Sequence, residues 1–146
     1  MELPLSDDKL VADCRKEFET AQSKGHTDSA EASIRYCWAL VHSPNQDRVW
    51  QGLAFAEALL GGPGMTEHNN KEVIYLSSVA KYKLGKHVDA RRQVQELLKV
   101  SPGMRQAQNL NDLLEATLAK EALIGVGIGA GLLGVAALVV AGLARR

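Results

Sequence analysis

Residues 122 to 144 form an unbroken run of 23 uncharged residues, with Arg145 and Arg146 after it. No other feature limits the chain's options as much. A helix rises ~1.5 Å per residue, so this run would extend roughly 35 Å, enough to cross a hydrocarbon core of ~30 Å with some tilt. It is too long for a buried helix of a small domain, and it has no charge to place on a wet face. A helix also satisfies its own backbone hydrogen bonds, as hydrocarbon requires. The expected organisation is a helical domain at 1–121 facing the cytosol, a transmembrane anchor from Ala122 to Ala144, and a basic tail at 145–146.

Before the anchor, 121 residues suffice for one compact domain. Without the two terminal arginines, 15 basic residues face 17 acidic ones, so no basic surface exists to track phosphates and nucleic acid is not an expected partner. The opening MELPLSDDKLVADC is acidic and lacks the apolar core of an export signal, so the domain is expected to stay in the cytosol and the anchor to insert after synthesis. Cys14 and Cys37 fall within helical apolar patterns and are expected as buried free thiols. His26, His42, His68 and His87 are scattered singly, without metal-ligand spacing, and are expected at the surface or partly packed.

Apolar residues recur at helical spacing, and period-two alternation is missing. Six helices are predicted: Leu5–Ser23 with Ser6 as N-cap, Ser29–His42, Asp47–Leu60, Asn69–Leu84, Lys86–Val100 and Met104–Ala119. The breaks fall at Lys24–Thr27, Ser43-Pro44-Asn45, Gly61-Gly62-Pro63-Gly64, Gly85 and Ser101-Pro102-Gly103. The sixth helix runs almost directly into the anchor. Gly52 to Leu60 aligns without gaps on Ala90 to Leu98, 38 residues later, with small residues facing small ones at Gly52/Ala90 and Ala56/Val94. Antiparallel helices approach closely only where one side chain is small, and helix-pair repeats are built this way. The fold class is therefore all-α: two tetratricopeptide-like hairpins capped by the first and sixth helices, with a concave face between them.

Chemistry-bearing motifs are lacking. No Walker loop, HExxH, CxxC or GxSxG occurs, and carboxylates such as Asp7/Asp8 and Asp13/Glu17 fall on solvated helix faces. Neither an enzyme nor a cofactor or metal site is expected. Trp38 is read as core and Trp50 as partly exposed; an exposed tryptophan would point to a partner or a membrane surface. Gly125/Gly129 and Gly127/Gly131 give two overlapping GxxxG spacings, which would allow a homo-oligomer through the anchor.

Several stretches resemble the mitochondrial fission 1 family. Tyr36-Cys37-Trp38-Ala39-Leu40-Val41-His42-Ser43 is similar to its Tyr-Ala-Trp-x-Leu-Val-x-Ser stretch, and Gly52 to Leu60 to its Gly-(apolar)₃-Leu-Glu-x-Leu-Leu segment. Tyr75 to Leu84 resembles the aromatic-Tyr-Leu-Ala-Val-Gly-Asn-Tyr-Arg-Leu motif. Pro102 with Gln106 to Leu110 resembles the opening of that family's last soluble helix. The resemblance spans about residues 30 to 146 and implies a tail-anchored adaptor of the mitochondrial outer membrane, often shared with peroxisomes. Its implied partner is a dynamin-related GTPase or that enzyme's adaptor, and the lipid bilayer is contacted through Ala122 to Ala144.

Carried over to this chain, the protein-binding groove would comprise Leu40, Val41, Ser78, Val79, Tyr82, Lys83 and Leu110, and Arg145 and Arg146 would steer targeting. The chain departs from the family motif at Ser78…Ala80, Lys81 and Lys83. The segment before Leu5 is short enough to fold over the groove as a gate. Two other functions fit the residues less well. A tetratricopeptide import receptor or co-chaperone docking site would need convergent cations beyond Lys81 and Lys83. A tail-anchored apoptosis regulator would need a signature motif that is absent.

Overall fold

The computed structural model describes residues 3–24 and 29–133, which form six helices: α1 Asp8–Lys24, α2 Ser29–Val41, α3 Gln46–Leu59, α4 Glu67–Lys83, α5 His87–Val100 and α6 Arg105–Leu133. Among the described residues no strand occurs. Local chemistry sets most boundaries. The Asn45 side chain accepts from the Asp47 N–H at 2.9 Å and starts α3, satisfying a donor that a helix cannot pair internally. Thr66 and Asn69 exchange side-chain and backbone bonds in a capping box that starts α4 two residues before its predicted position. Gly85, at φ +82°, ends α4: its N–H reaches Tyr82 O and the Lys86 N–H reaches Lys81 O, the paired bonds of a Schellman turn.

One predicted cap is corrected. Asp7, not Ser6, caps α1, its carboxylate accepting from the Leu10 N–H at 2.8 Å. Ser6 is buried instead. Its hydroxyl donates to Ala39 O at 2.6 Å and its N–H to His42 O at 2.9 Å, which ties the segment before α1 to the end of α2. Leu3–Asp7 are thus a docked arm, and Leu3 packs against the main core.

Consecutive helices pack as hairpins, and α4 also touches both α2 and α6. Helices α3 and α5 do not touch each other. The inner row α2–α4–α6 is therefore closed and the outer row is splayed, so the stack curves around its inner row. The main core joins α2 to α6 through Val41, Val49, Val73, Val79, Val94, Leu110 and Leu114. A second cluster seals α1 onto α2, where Phe18, Tyr36 and Phe55 meet with centroids 5.2–5.5 Å apart. Cys14 and Cys37 are free and buried, as expected. Desolvation pushes the Cys37 thiol up to about 12, so it behaves as a small apolar group.

Helix α6 passes without a break from the core into the uncharged run, covering 122–133. Among the described residues, no helix is long and apolar enough to cross a membrane. The rest of the expected anchor, 134–144, and the tail Arg145–Arg146 lie outside the described residues.

Gly52 marks the tightest approach of α2 and α3. A Cβ built there would sit 2.8 Å from Val41 Cγ2 and 3.0 Å from both Leu40 Cβ and Val41 N. The corresponding Ala90 is fully buried. Gly52→Ala is expected to destabilise the domain by about 1–3 kcal/mol, since the helices must part. Gly103→Ala, where a Cβ would meet nothing within 4 Å, should cost well under that. Paired denaturant melts followed by circular dichroism at the helix band check the difference.

Candidate functional site

The stack offers two faces. On the inner row, the Trp38 ring is half-buried and lies on the His42 imidazole, centroids 4.1 Å apart and planes 22° apart. Half-buried Tyr82, near the end of α4, packs against His87 with centroids 5.3 Å apart. His42 itself is buried, contrary to the surface expectation, and its Nδ1 lies 2.9 Å from Trp38 O as the donor of that bond. Burial lowers its pKa below the ordinary histidine value; the Lys83 ammonium adds to this, and the bond to Trp38 opposes it.

The structure divides the seven expected groove residues. Leu40, Val41, Ser78, Val79 and Leu110 are no more than 1% exposed and belong to the core. The family resemblance assigned them to the groove, but each is packed against a neighbouring helix of this chain. Lys83 is half-buried, and its ammonium donates to Val41 O at 2.9 Å and Ser43 O at 2.7 Å. It therefore satisfies the unpaired carbonyls at the end of α2, where a cation is also favoured by the helix dipole. Desolvation lowers its pKa. Tyr82 alone of the seven keeps both accessible surface and freedom from such an internal bond.

The outer row carries a feature that the sequence reading missed. An apolar hollow of about 390 Å³ opens between α3 and α5, floored by α4. Ala56 and Leu60 form one wall, Leu97 and Val100 the other, and Val73, Ile74 and Ser77 the floor. Lys71, Lys81, Glu57 and Glu96 stand around it. None of the seven expected residues lines it. The available signal was the pair Leu60 and Val100: each is a large apolar residue at the end of its helix, and both remain about half exposed or more.

Two of the departures from the family motif on α4, Ser78 and Lys81, are engaged at this floor. The Gln93 amide reaches across from α5, its Nε2 donating to Ile74 O at 3.0 Å, Ser77 Oγ at 3.0 Å and Ser78 Oγ at 2.9 Å. Its Oε1 accepts from Lys81 Nζ at 2.8 Å. Ser77 and Ser78 are buried hydroxyls, each of which would cost about 1–3 kcal/mol if left without a partner. Ser78, Lys81 and Gln93 act as one hydrogen-bonded set. Among the described residues, no group of three or more His, Cys, Asp or Glu side chains is placed to hold a metal ion.

A closed inner row and a splayed outer row of antiparallel helix pairs define a helical-repeat scaffold of the tetratricopeptide type, a class that works by binding other proteins. The pattern of the Fis1 C-terminal tetratricopeptide repeat matches residues 71–123. Mitochondrial fission 1 protein B of Arabidopsis thaliana is 33% identical over 144 residues, covering 99% of this chain and 84% of its own length. The human mitochondrial fission 1 protein is 30% identical over 124 residues, covering 84% and 80%. The chain belongs to the mitochondrial fission 1 family. Its fold matches that of yeast Fis1 solved in complex with an Mdv1 fragment, with a TM-score of 0.68 at 19% identity over 82% of this chain and 90% of that one. Family members are tetratricopeptide-like adaptors, not enzymes, and they are associated with mitochondria.

His42 supplies a pH dependence. The unfolded chain binds a proton at this residue near the ordinary value of 6.5, whereas the folded chain does so only at lower pH. Its contribution to stability is complete above about pH 6.5 and declines as the pH falls from there towards the depressed folded value, because the unfolded state is protonated first. Thermal melts between pH 8 and 5 should show this decline, and His42→Gln should remove that part of it.

Proposed function

We propose that this protein is a tail-anchored adaptor of the mitochondrial outer membrane that draws the organelle-division machinery to the surface. Its helical domain faces the cytosol, and Ala122 to Ala144 crosses the bilayer. The partner is a dynamin-related GTPase, bound directly or through an intermediary, and the same activity extends to peroxisomes. Family membership supports division as the process. The solved complex of yeast Fis1 with an Mdv1 fragment containing coiled-coil segments supports docking of a helical adaptor on this fold. The observation that carries the reading is the passage of α6, unbroken, from the core into the uncharged run.

Docking falls on the inner row, at the half-buried aromatic surface of Trp38 and Tyr82, with Leu40, Val41, Ser78, Val79 and Leu110 as its packed backing and Lys83 bracing α2 against α4. The docked arm at Leu3–Ser6 lies against the same end of α2 and restricts entry to that surface. An import receptor gripping acidic tails is the poorer fit. Lys81 and Lys83 are both engaged internally, with Gln93 and with the α2 carbonyls.

Tyr82→Ala should keep the native helix signal while abolishing proximity labelling of the division GTPase or its adaptor, leaving mitochondria elongated. Labelling at the wild-type level would reject the inner row as the docking face. Replacing both Arg145 and Arg146 with serine should move the protein away from mitochondria when imaged in cells; an unchanged distribution would reject their role in targeting.

A further inference from the structure

We propose a second contact with the bilayer, separate from the anchor: the end of the domain that carries the α2–α3 and α4–α5 turns is seated in the phospholipid headgroup layer. This rests on the reading of residues 122–144 as a membrane span. Three ties bring the pieces to one end. His87 is paired with Glu121 and Arg91 with Glu115, so the α4–α5 turn lies beside the last charged turn of α6, where the uncharged run begins. Lys83 holds the end of α2 against the end of α4. The Lys86 ammonium lies 5.2 Å from the centroid of the Trp50 ring, which links the α4–α5 turn to the first turns of α3.

Exposed apolar side chains gather there. Trp50 is 48% exposed, Val88 69% and Leu5 67%, the last held near His42 by the neighbouring Ser6 bond. Leu123 and Ile124, at 73% and 51%, follow directly on α6. Large exposed apolar groups at one end of a small domain call for a covering surface. The chain's own course names it, since the uncharged run leaves from this same end. Tryptophan favours the headgroup level, where its ring is shielded from water and its N–H finds acceptors. Lysine can lay its stem along apolar surface and send its ammonium to a phosphate.

Charge on this end is nearly balanced. Arg48 is paired with Asp8, His87 with Glu121 and Arg92 with Asp89, while Lys83, Lys86 and Lys120 stand against Asp7 and Asp47 in no ion pair within the described residues. Seating therefore needs no anionic lipid, and phosphatidylcholine suffices. With α6 rigid into the bilayer, this second contact would fix the tilt of the stack. Both rows would then stand upright from the membrane, with Trp38 and Tyr82, in the last turns of α2 and α4, just above the headgroups and within reach of a partner at the surface.

The test uses the full chain reconstituted into phosphatidylcholine vesicles, with Trp38→Phe to leave Trp50 as the reporting tryptophan. Emission is compared with that in vesicles whose phosphatidylcholine carries a shallow nitroxide quencher. Loss of roughly half the Trp50 emission is expected, and Lys86→Glu with Val88→Asp should restore most of it. Native emission in both vesicle types, from protein that resists carbonate extraction, would overturn the seating and leave the anchor standing. Release by carbonate would overturn the anchor and this inference together. Quenching that ignored the double substitution would also overturn it. The otherwise native chain compared with Trp50→Phe reports the same contribution by difference, with no change at the Trp38–His42 stack.

Discussion

Four of the other five helices of this domain are braced against α4, and α1 rests on α2. Helix α4 touches α2, α3, α5 and α6, and it has few polar groups to spare in doing so. Its last lysine closes the end of α2, and its buried serines and Lys81 are satisfied by Gln93 of α5. A helix packed on all sides cannot leave hydroxyls or carbonyls unpaired, since each would cost as much as several well-placed methylenes recover. The two hairpins are thus joined by polar ties as well as by apolar contact. Because those ties are directional, they set the register between repeats where the apolar packing alone would tolerate sliding.

That arrangement explains why the helices could be read in the sequence and the site only in part. Helix periodicity, proline and glycine breaks, and the small-residue pairs Gly52/Ala90 and Ala56/Val94 are local signals, and the observed helices follow them. Cap positions depend on which of two neighbouring polar residues reaches the backbone, and so Ser6 and Asp7 were exchanged. The contact between Lys83 and the α2 carbonyls spans some 40 residues of chain. No periodicity encodes it, and the family resemblance, which assigned Lys83 to the groove, carries no information on that bond. Leu40, Val79 and Leu110, assigned in the same way, are buried within this chain, because a matched motif gives the position of an apolar residue and not whether a helix of the same chain or a partner covers it.

The outer hollow was illegible for a related reason. It arises because α3 and α5 diverge while α4 stays beneath them, a consequence of how the inner row closes. Nothing in either helix taken alone marks a space between the two. Ser78, Lys81 and Lys83, the positions where the chain departs from its family motif, are all bound within the fold. Their replacement is better understood as a change of internal bracing than as a change of partner chemistry. Lysine suits the brace at Val41 and Ser43, because a single ammonium can be shared by two carbonyls that a planar guanidinium would meet less freely.

An adaptor held in this way need not bind tightly. If the domain is anchored as proposed, a partner confined to the thin layer above the bilayer would meet it at a much higher effective concentration than in solution, so weak contacts would suffice to hold it. That gain is lost if geometry forbids engagement. A domain on a flexible tether would spend much of its time with its inner row turned towards lipid. Under the proposed anchoring, the unbroken α6 would remove that freedom along one axis, and contact through Trp50, Lys86 and Val88 would remove it along another. Orientation would then stand in for affinity. The bracing around α4, the continuity of α6 and the apolar end of the stack would then serve one requirement, which is that a modest surface be presented in a fixed direction.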